Sequence, residues 1–98
     1  MNAYKILTAE EWAGFKRDGV FAGAPVDQAD GYIHLSTAEQ VQATLDKHFS
    51  GQTDLVIAEV DLTGLGATLR WEESRGGALF PHLYASLPMS AIIGFRQA

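Results

Sequence analysis

The chain has 98 residues, a net charge of −5 with histidines neutral, 47% apolar and 19% charged residues, and no cysteine. The missing thiols exclude disulfides, thiolate nucleophiles and thiolate metal sites. The acidic balance argues against nucleic acid as a partner, because phosphate contacts dominate that affinity. No apolar run is long enough to span a bilayer, and Met1-Asn2-Ala3-Tyr4-Lys5 lacks the basic and apolar regions of a signal peptide. The expectation is a single soluble domain over residues 1–98, located in the cytoplasm.

In chain order, Tyr4-Lys5-Ile6-Leu7 suits a first strand. Thr8-Ala9-Glu10-Glu11 has the Thr-x-x-Glu form of a capping box and opens a helix over about residues 9–18, with Trp12 and Phe15 on its core face and Gly19 at its end. Val20–Ala29, with Gly23 and Pro25, reads as a loop with at most a turn of structure. Tyr32–Leu35 forms the next strand. Ser36 or Thr37 then caps a helix, with Glu39 or Gln40 completing a box. Along Ala38–Phe49 the positions Ala38, Val41, Leu45 and Phe49 follow the helical period.

Leu55–Leu62 is the clearest strand, with Val56, Ala58, Val60 and Leu62 on one face and Leu55, Ile57, Glu59 and Asp61 on the other. It is expected to be central at its start and wet at its end. A turn at Thr63–Gly66 leads to a strand over Thr68–Glu72, where Leu69 and Trp71 oppose Arg70 and Glu72. Gly76 and Gly77 give the following segment the greatest backbone freedom. Leu79–Tyr84 contains Pro81 and is expected to be an edge strand or an extended loop. Ala91–Phe95 closes the chain as a strand. The order β-α-β-α-β-β-β-β predicts an α+β fold, a split, curved and mostly antiparallel sheet with two flanking helices.

Two segments share one pattern of an aromatic, a histidine and a hydroxyl at alternating positions: Tyr32, His34, Ser36 and Phe80, His82, Tyr84. Imidazole titrates near neutrality and serves as acid, base or neutral donor. Hydroxyls beside a helix N-terminus suit phosphate or ribose oxygens, and aromatic faces suit a flat ring. His34, His82 and Glu72 are the candidate catalytic groups; Tyr32, Ser36, Thr37, Trp71 and Tyr84 are the candidate ligand contacts. Each has a structural alternative: Ser36 and Thr37 as helix caps, Trp71 as core, Glu72 as a solvated carboxylate. His34 and His82 with Glu72 or Asp30 do not have the spacing of a compact metal motif, and no metal is expected. Ser36 lacks a nucleophile elbow.

Three stretches, Asp30-Gly31-Tyr32-Ile33-His34-Leu35-Ser36-Thr37-Ala38-Glu39-Gln40, Arg70-Trp71-Glu72 and Leu79-Phe80-Pro81-His82-Leu83-Tyr84, resemble the small bacterial family called domain of unknown function 952. The resemblance implies a fold similar to the ADP-ribosyltransferase superfamily, which holds NAD or ADP-ribose derivatives in a cleft. Ile33-His34-Leu35-Ser36 is also similar to the "His-x-His-Leu-Ser" strand of the RNA 2′-phosphotransferases, which implies that His34 contacts a nucleotide diphosphate or ribose. Three departures stand out, the first being that Asp30-Gly31 does not reproduce the residue pair that precedes the strand in the phosphotransferases. Lys5 occupies a strand where many relatives carry a histidine, and Glu72 matches the transferase glutamate by position only. The reading is a domain binding NAD or an ADP-ribose-like nucleotide. ADP-ribosyltransferase-like or 2′-phosphotransferase-like activity is the reaction class implied. In it His34 and Ser36 hold phosphate or ribose, His82 or Tyr84 meets the ring, Trp71 covers the ligand and Glu72 polarises a ribose hydroxyl. The alternative is a non-enzymatic ligand- or partner-binding domain with a degenerate cleft, in which the histidines are buried on backbone partners. Neither reading sets an oligomeric state.

Overall fold

The computed structural model describes residues 1–98, leaving aside the side chain of Arg75. Strand β1 (Asn2–Leu7) pairs antiparallel with β4 (Val56–Asp61), and β8 (Ile92–Gln97) flanks β4 on its other side. The central place of β4 follows from its two apolar faces. Val56, Ala58 and Val60 enter the main core with Leu62, while Leu55 and Ile57 join Ile6 and Val41 in a second cluster. Glu59 and Asp61, at the wetter end, are half-exposed. Burying these apolar faces supplies the dominant favourable term for a chain of this size.

Helix α1 (Ala9–Asp18) begins and ends where the sequence places it. Thr8 Oγ1 accepts from the Glu11 N–H at 3.0 Å and Glu11 Oε1 accepts from the Thr8 N–H at 2.9 Å. Gly19 closes it at φ 75°, and its N–H reaches the Phe15 carbonyl. Trp12 and Phe15 are buried in the main core.

The stretch expected to be a loop holds two elements. Strand β2 (Val20–Phe21) pairs with β7 (Leu87–Pro88), and helix α2 spans Pro25–Asp30. The signals for α2 are local. Pro25 occupies its first position, where the missing N–H costs nothing. Asp27 Oδ2 accepts from the Ala24 N–H at 2.8 Å, half of a capping box, because Ala24 has no oxygen to return. The helix stops at Gly31, φ 88°. The domain therefore has three helices rather than two. Helix α3 (Val41–His48) is shorter than its apolar period suggested. Thr37 and Gln40 exchange side-chain-to-backbone bonds at 3.0 and 3.2 Å in a turn ahead of it, and Ala38 is exposed.

The second three-stranded sheet has the order β3 (Ile33–His34), β6 (Leu79–Leu83), β5 (Leu69–Glu73). The proline-bearing strand β6 is its centre, not its edge. Leu35 donates to the Pro81 carbonyl at 3.0 Å, so Pro81 turns its nitrogen toward β3 rather than β5. The ring cannot return that bond, and β3 ends at His34. The absent donor thus falls at the end of a very short strand. A bridge between Tyr4 and Ser36, with N–H to carbonyl distances of 2.7 and 2.9 Å, joins the two three-stranded sheets. The architecture is α+β, with every strand pair antiparallel. No helix among the described residues is long and apolar enough to cross a membrane.

Candidate functional site

Register decides which side chains meet. His34 lies opposite His82, and His82 lies opposite Arg70. Opposed residues share a face, so one face of the second sheet carries His34, His82, Arg70, Glu72 and Phe80. Ile33, Leu69, Trp71, Pro81 and Leu83 take the other. Tyr32 and Tyr84 complete the first face. The Tyr32 ring stacks on His82 at 4.1 Å between centroids and lies 4.7 Å from His34 and 5.2 Å from Tyr84. The two imidazoles are 5.6 Å apart. Arg70 sits over the Tyr84 ring at 4.8 Å, a cation–π contact.

His82 is only 3% exposed. Its Nδ1 lies 2.8 Å from Glu72 Oε1, and the Tyr84 hydroxyl donates to the same oxygen at 2.7 Å. A carboxylate at Nδ1 fixes the proton there and leaves Nε2 as the acceptor. Among the described residues no buried side-chain nitrogen or oxygen is unpaired. Nε2 has no partner among the described residues and so is not among the fully buried atoms, and His82 lines the cleft. The bond from His82, then that from Tyr84, holds the Glu72 carboxyl below the usual carboxylate range. The same bond to Glu72 pushes the Tyr84 phenol up. Burial, followed by the charges of Asp30 and Glu72, raises the Tyr32 phenol.

His34 is arranged differently. Its Nδ1 lies 2.6 Å from Asp27 Oδ1 and its Nε2 2.9 Å from Asp30 Oδ2. Both ring nitrogens are taken, so His34 has none left for a ligand. Asp27 is the hub behind it. This carboxylate, 1% exposed, also accepts from the backbone N–H groups of Ala24 and His34 and from Lys5 Nζ at 2.9 Å. Lys5, itself 6% exposed, donates to the His34 carbonyl at 3.0 Å as well. Burial works to raise the Asp27 pKa, but the His34 bond, the Lys5 charge and the Ala24 N–H outweigh it and bring it down to about 2.

Between these groups and helices α1 to α3 lies a cleft of about 610 Å³. Lys5, Asp27, Asp30, Tyr32, His48 and His82 are among the residues that line it. His34, His82 and Tyr32 line the cleft together with Ser36; Glu72 and Tyr84 stand behind His82, and Trp71 and Thr37 are not part of its lining. Trp71 projects from the opposite sheet face, as its pairing with Pro81 dictates. Ser36 is 4% exposed, its backbone is spent on the bridge to Tyr4 and its Oγ lies 3.1 Å from the Thr44 hydroxyl. The Thr37 hydroxyl accepts from the Gln40 N–H. The ring nitrogens of His34 and the hydroxyl of Ser36, for which phosphate or ribose contacts were expected, each already have a protein partner. The histidines bond to carboxylates, not to backbone as a collapsed cleft would predict.

Sequence reasoning missed Lys5 and Asp27 as site residues and weighed Asp30 only as a metal ligand. A signal existed for Lys5: strand alternation sets it between Ala3 and Leu7, both fully buried. A lysine on a core face requires a carboxylate partner.

The family model described as Protein of unknown function (DUF952) matches residues 6–95. The chain belongs to this family. The matched span of this DUF952 chain includes Asp27, Tyr32, His34, Glu72, His82 and Tyr84, and Lys5 lies just outside it. The chain is similar to the crystal structure of protein CC0527 from Caulobacter crescentus, with 48% identity and a TM-score of 0.95 over 99% of this chain and 85% of that one. A double mutant of CC0527 gives 46% identity and the same TM-score over the same shares. The solution NMR structure of CC0527 gives 49% identity and a TM-score of 0.87 over 98% of this chain and 83% of that one. No curated protein matches the chain.

Proposed function

We propose that the cleft binds a small molecule with a planar ring carrying a hydroxylated substituent, the nicotinamide riboside portion of NAD or an ADP-ribose derivative being the class in mind. The observation that carries this reading is His82. Its Nδ1 is anchored on Glu72, its face is stacked by Tyr32, and it lines the cleft with an Nε2 that has no partner among the described residues. A base oriented by a carboxylate is the usual arrangement for accepting a proton from a hydroxyl or N–H. Glu72 holds the tautomer, Tyr84 holds Glu72, and Tyr32 supplies a face for a ring. The Lys5–Asp27–His34 network positions Tyr32 and α2 around that base. An ADP-ribosyltransferase-like fold and transfer chemistry belong to this proposal through the sequence resemblance, with Glu72 as the carboxylate beside the reacting sugar.

Calorimetric and thermal-shift titration of the purified protein with NAD, ADP-ribose and nicotinamide tests the reading. Binding of at least one, lost in His82→Gln without loss of fold, is the expected result. No heat and no shift from any of the three at millimolar concentration would overturn it. The competing role, packing alone, fits His34, whose two nitrogens are both committed to protein carboxylates. His34→Gln is accordingly expected to lower stability.

A further inference from the structure

The Tyr4–Ser36 bridge joins the two three-stranded sheets on their β1 and β3 sides, which leaves β5 and β8 as the outer strands. Folded proteins guard such edges with charge, proline or brevity. Strand β5 carries Arg70, Glu72 and Glu73. Strand β8 is six residues long, has no proline, and opens with Ile92-Ile93-Gly94-Phe95. Ile93 is 56% and Phe95 61% exposed.

Register sets what this edge offers. The Ala98 N–H bonds to the Leu55 carbonyl at 3.0 Å, and Gln97, Arg96, Phe95 and Gly94 lie opposite Val56, Ile57, Ala58 and Glu59. Alternate residues of an antiparallel strand turn their N–H and C=O toward the same neighbour. Arg96 and Gly94 therefore bond to β4 as Ala98 does, while Phe95 and Gln97 turn theirs outward. Among the described residues, no backbone bond outside the strand ladder involves either of them.

A two-fold axis at Phe95 makes the edge complementary to itself. In a second, antiparallel copy Phe95 meets Phe95, Gln97 meets Ile93 and Arg96 meets Gly94. Gly94 stands opposite Glu59 on one sheet face, so Arg96 of one copy reaches across the other's Gly94 to its Glu59. Their Cα atoms are two strand spacings apart, about 10 Å, a distance the two side chains together span. Arg96 is exposed and has no ion pair among the described residues. Glu59 accepts from Asn2 Nδ2 through Oε2, which leaves Oε1. Gly94 keeps the path clear. A Cβ there would meet nothing within 4 Å, and its φ is not positive, so neither packing nor backbone conformation within the chain calls for glycine. A strand glycine of this kind marks the close approach of another backbone. Sliding the register by two residues toward Gln97 would set Arg96 against Arg96, like charges face to face.

We propose that β8 is the docking edge for a second copy of this chain, paired antiparallel about Phe95 into a continuous six-stranded sheet with two Arg96–Glu59 ion pairs across the axis.

Sedimentation equilibrium of the full chain from about 10 μM to 1 mM, the range of a small interface, should show a monomer–dimer equilibrium. Arg96→Glu should raise the dimer dissociation constant at least about tenfold, because two attractions become two repulsions. Adding Glu59→Arg to that variant restores opposite charges and should recover most of the loss. Gly94→Leu should leave the monomer as stable as before and abolish the dimer, by filling the path of Arg96. A monomer throughout the concentration range would overturn the proposal, as would a dimer that Gly94→Leu leaves intact. Should Gly94→Leu fail to fold by circular dichroism, the charge reversals decide, and a dimer indifferent to both overturns the proposal.

Discussion

Lys5→Met removes the cation from a buried carboxylate. Asp27 has a side chain 0% exposed and Lys5 one 7% exposed, with 2.9 Å between Nζ and Oδ2. At an effective dielectric of about 20 the attraction at that distance is about 5–6 kcal/mol before desolvation is counted. Measured losses on breaking such buried pairs from one side are about 3–5 kcal/mol, because the remaining charge stays buried. His34 Nδ1 and two backbone N–H groups still serve Asp27 in the variant, which sets the expectation at the lower end, about 3 kcal/mol. For a domain whose total stability is about 5–15 kcal/mol, that is a large fraction. Urea unfolding followed by far-UV circular dichroism should show the midpoint falling by about 2 M for a slope near 1.5 kcal/mol/M. Asp27→Asn, alone and combined with Lys5→Met, completes a double-mutant cycle with a coupling of about 1–3 kcal/mol. A loss below about 1 kcal/mol for Lys5→Met, or strict additivity in the cycle, would refute the account of Asp27 as a charge held by this pair.

Three further outcomes follow from the same geometry. The Asp27 pKa is depressed to about 2 in the fold, against about 4 in the unfolded chain, so its contribution is complete above about pH 4 and is lost as pH falls toward 2. It amounts to about 2–3 kcal/mol, and the acid limb of a stability–pH profile should be shallower in Asp27→Asn by that amount; identical limbs would contradict the assignment. Tyr84→Phe removes one of the two bonds that hold the Glu72 carboxyl down, so the Glu72 titration followed by carbon-13 NMR should move to higher pH, and an unmoved curve would show that the hydroxyl does not bond there. Gly23 has φ 116°, and a Cβ there would lie 2.9 Å from the Asp27 Cβ; Gly23→Ala should cost at least about 1 kcal/mol through strain and displacement of Asp27, measured by urea unfolding, and a neutral substitution would mean that α2 moves freely.

What sequence reading captured, and what it missed, divides along a physical line. Thr8, Glu11 and Gly19 act within one helix, and the signals for α1 are therefore local and complete. The two faces of β4 read correctly because alternation needs no knowledge of neighbours. The pairing of His34 with His82 was suggested by a repeated pattern, and the register makes them opposite residues. Non-local facts were hidden. Nothing near Pro81 says that its nitrogen turns toward a two-residue strand, which is what admits it to the sheet centre. Asp27 lies 22 positions from Lys5, so the partner demanded by a core-facing lysine could not be named from the strand itself. Lys5, noted only as a departure from a histidine, proves to be a fixed part of the cleft lining. Trp71, for which both a core and a ligand-covering role were open, lies on the sheet face opposite Glu72, as strand alternation requires.

The central claim is that His82, anchored through Nδ1, presents Nε2 to a ligand, while His34 is committed at both nitrogens. Long-range proton–nitrogen NMR of the imidazoles at neutral pH, repeated during titration with NAD and with nicotinamide, reads this directly. The account predicts a proton on Nδ1 of His82 in the free protein, a shift of its Nε2 on ligand addition, and His34 nitrogens that stay where they were. A proton on Nε2 of His82 in the free protein, or a ligand-induced shift at His34 with none at His82, would contradict it.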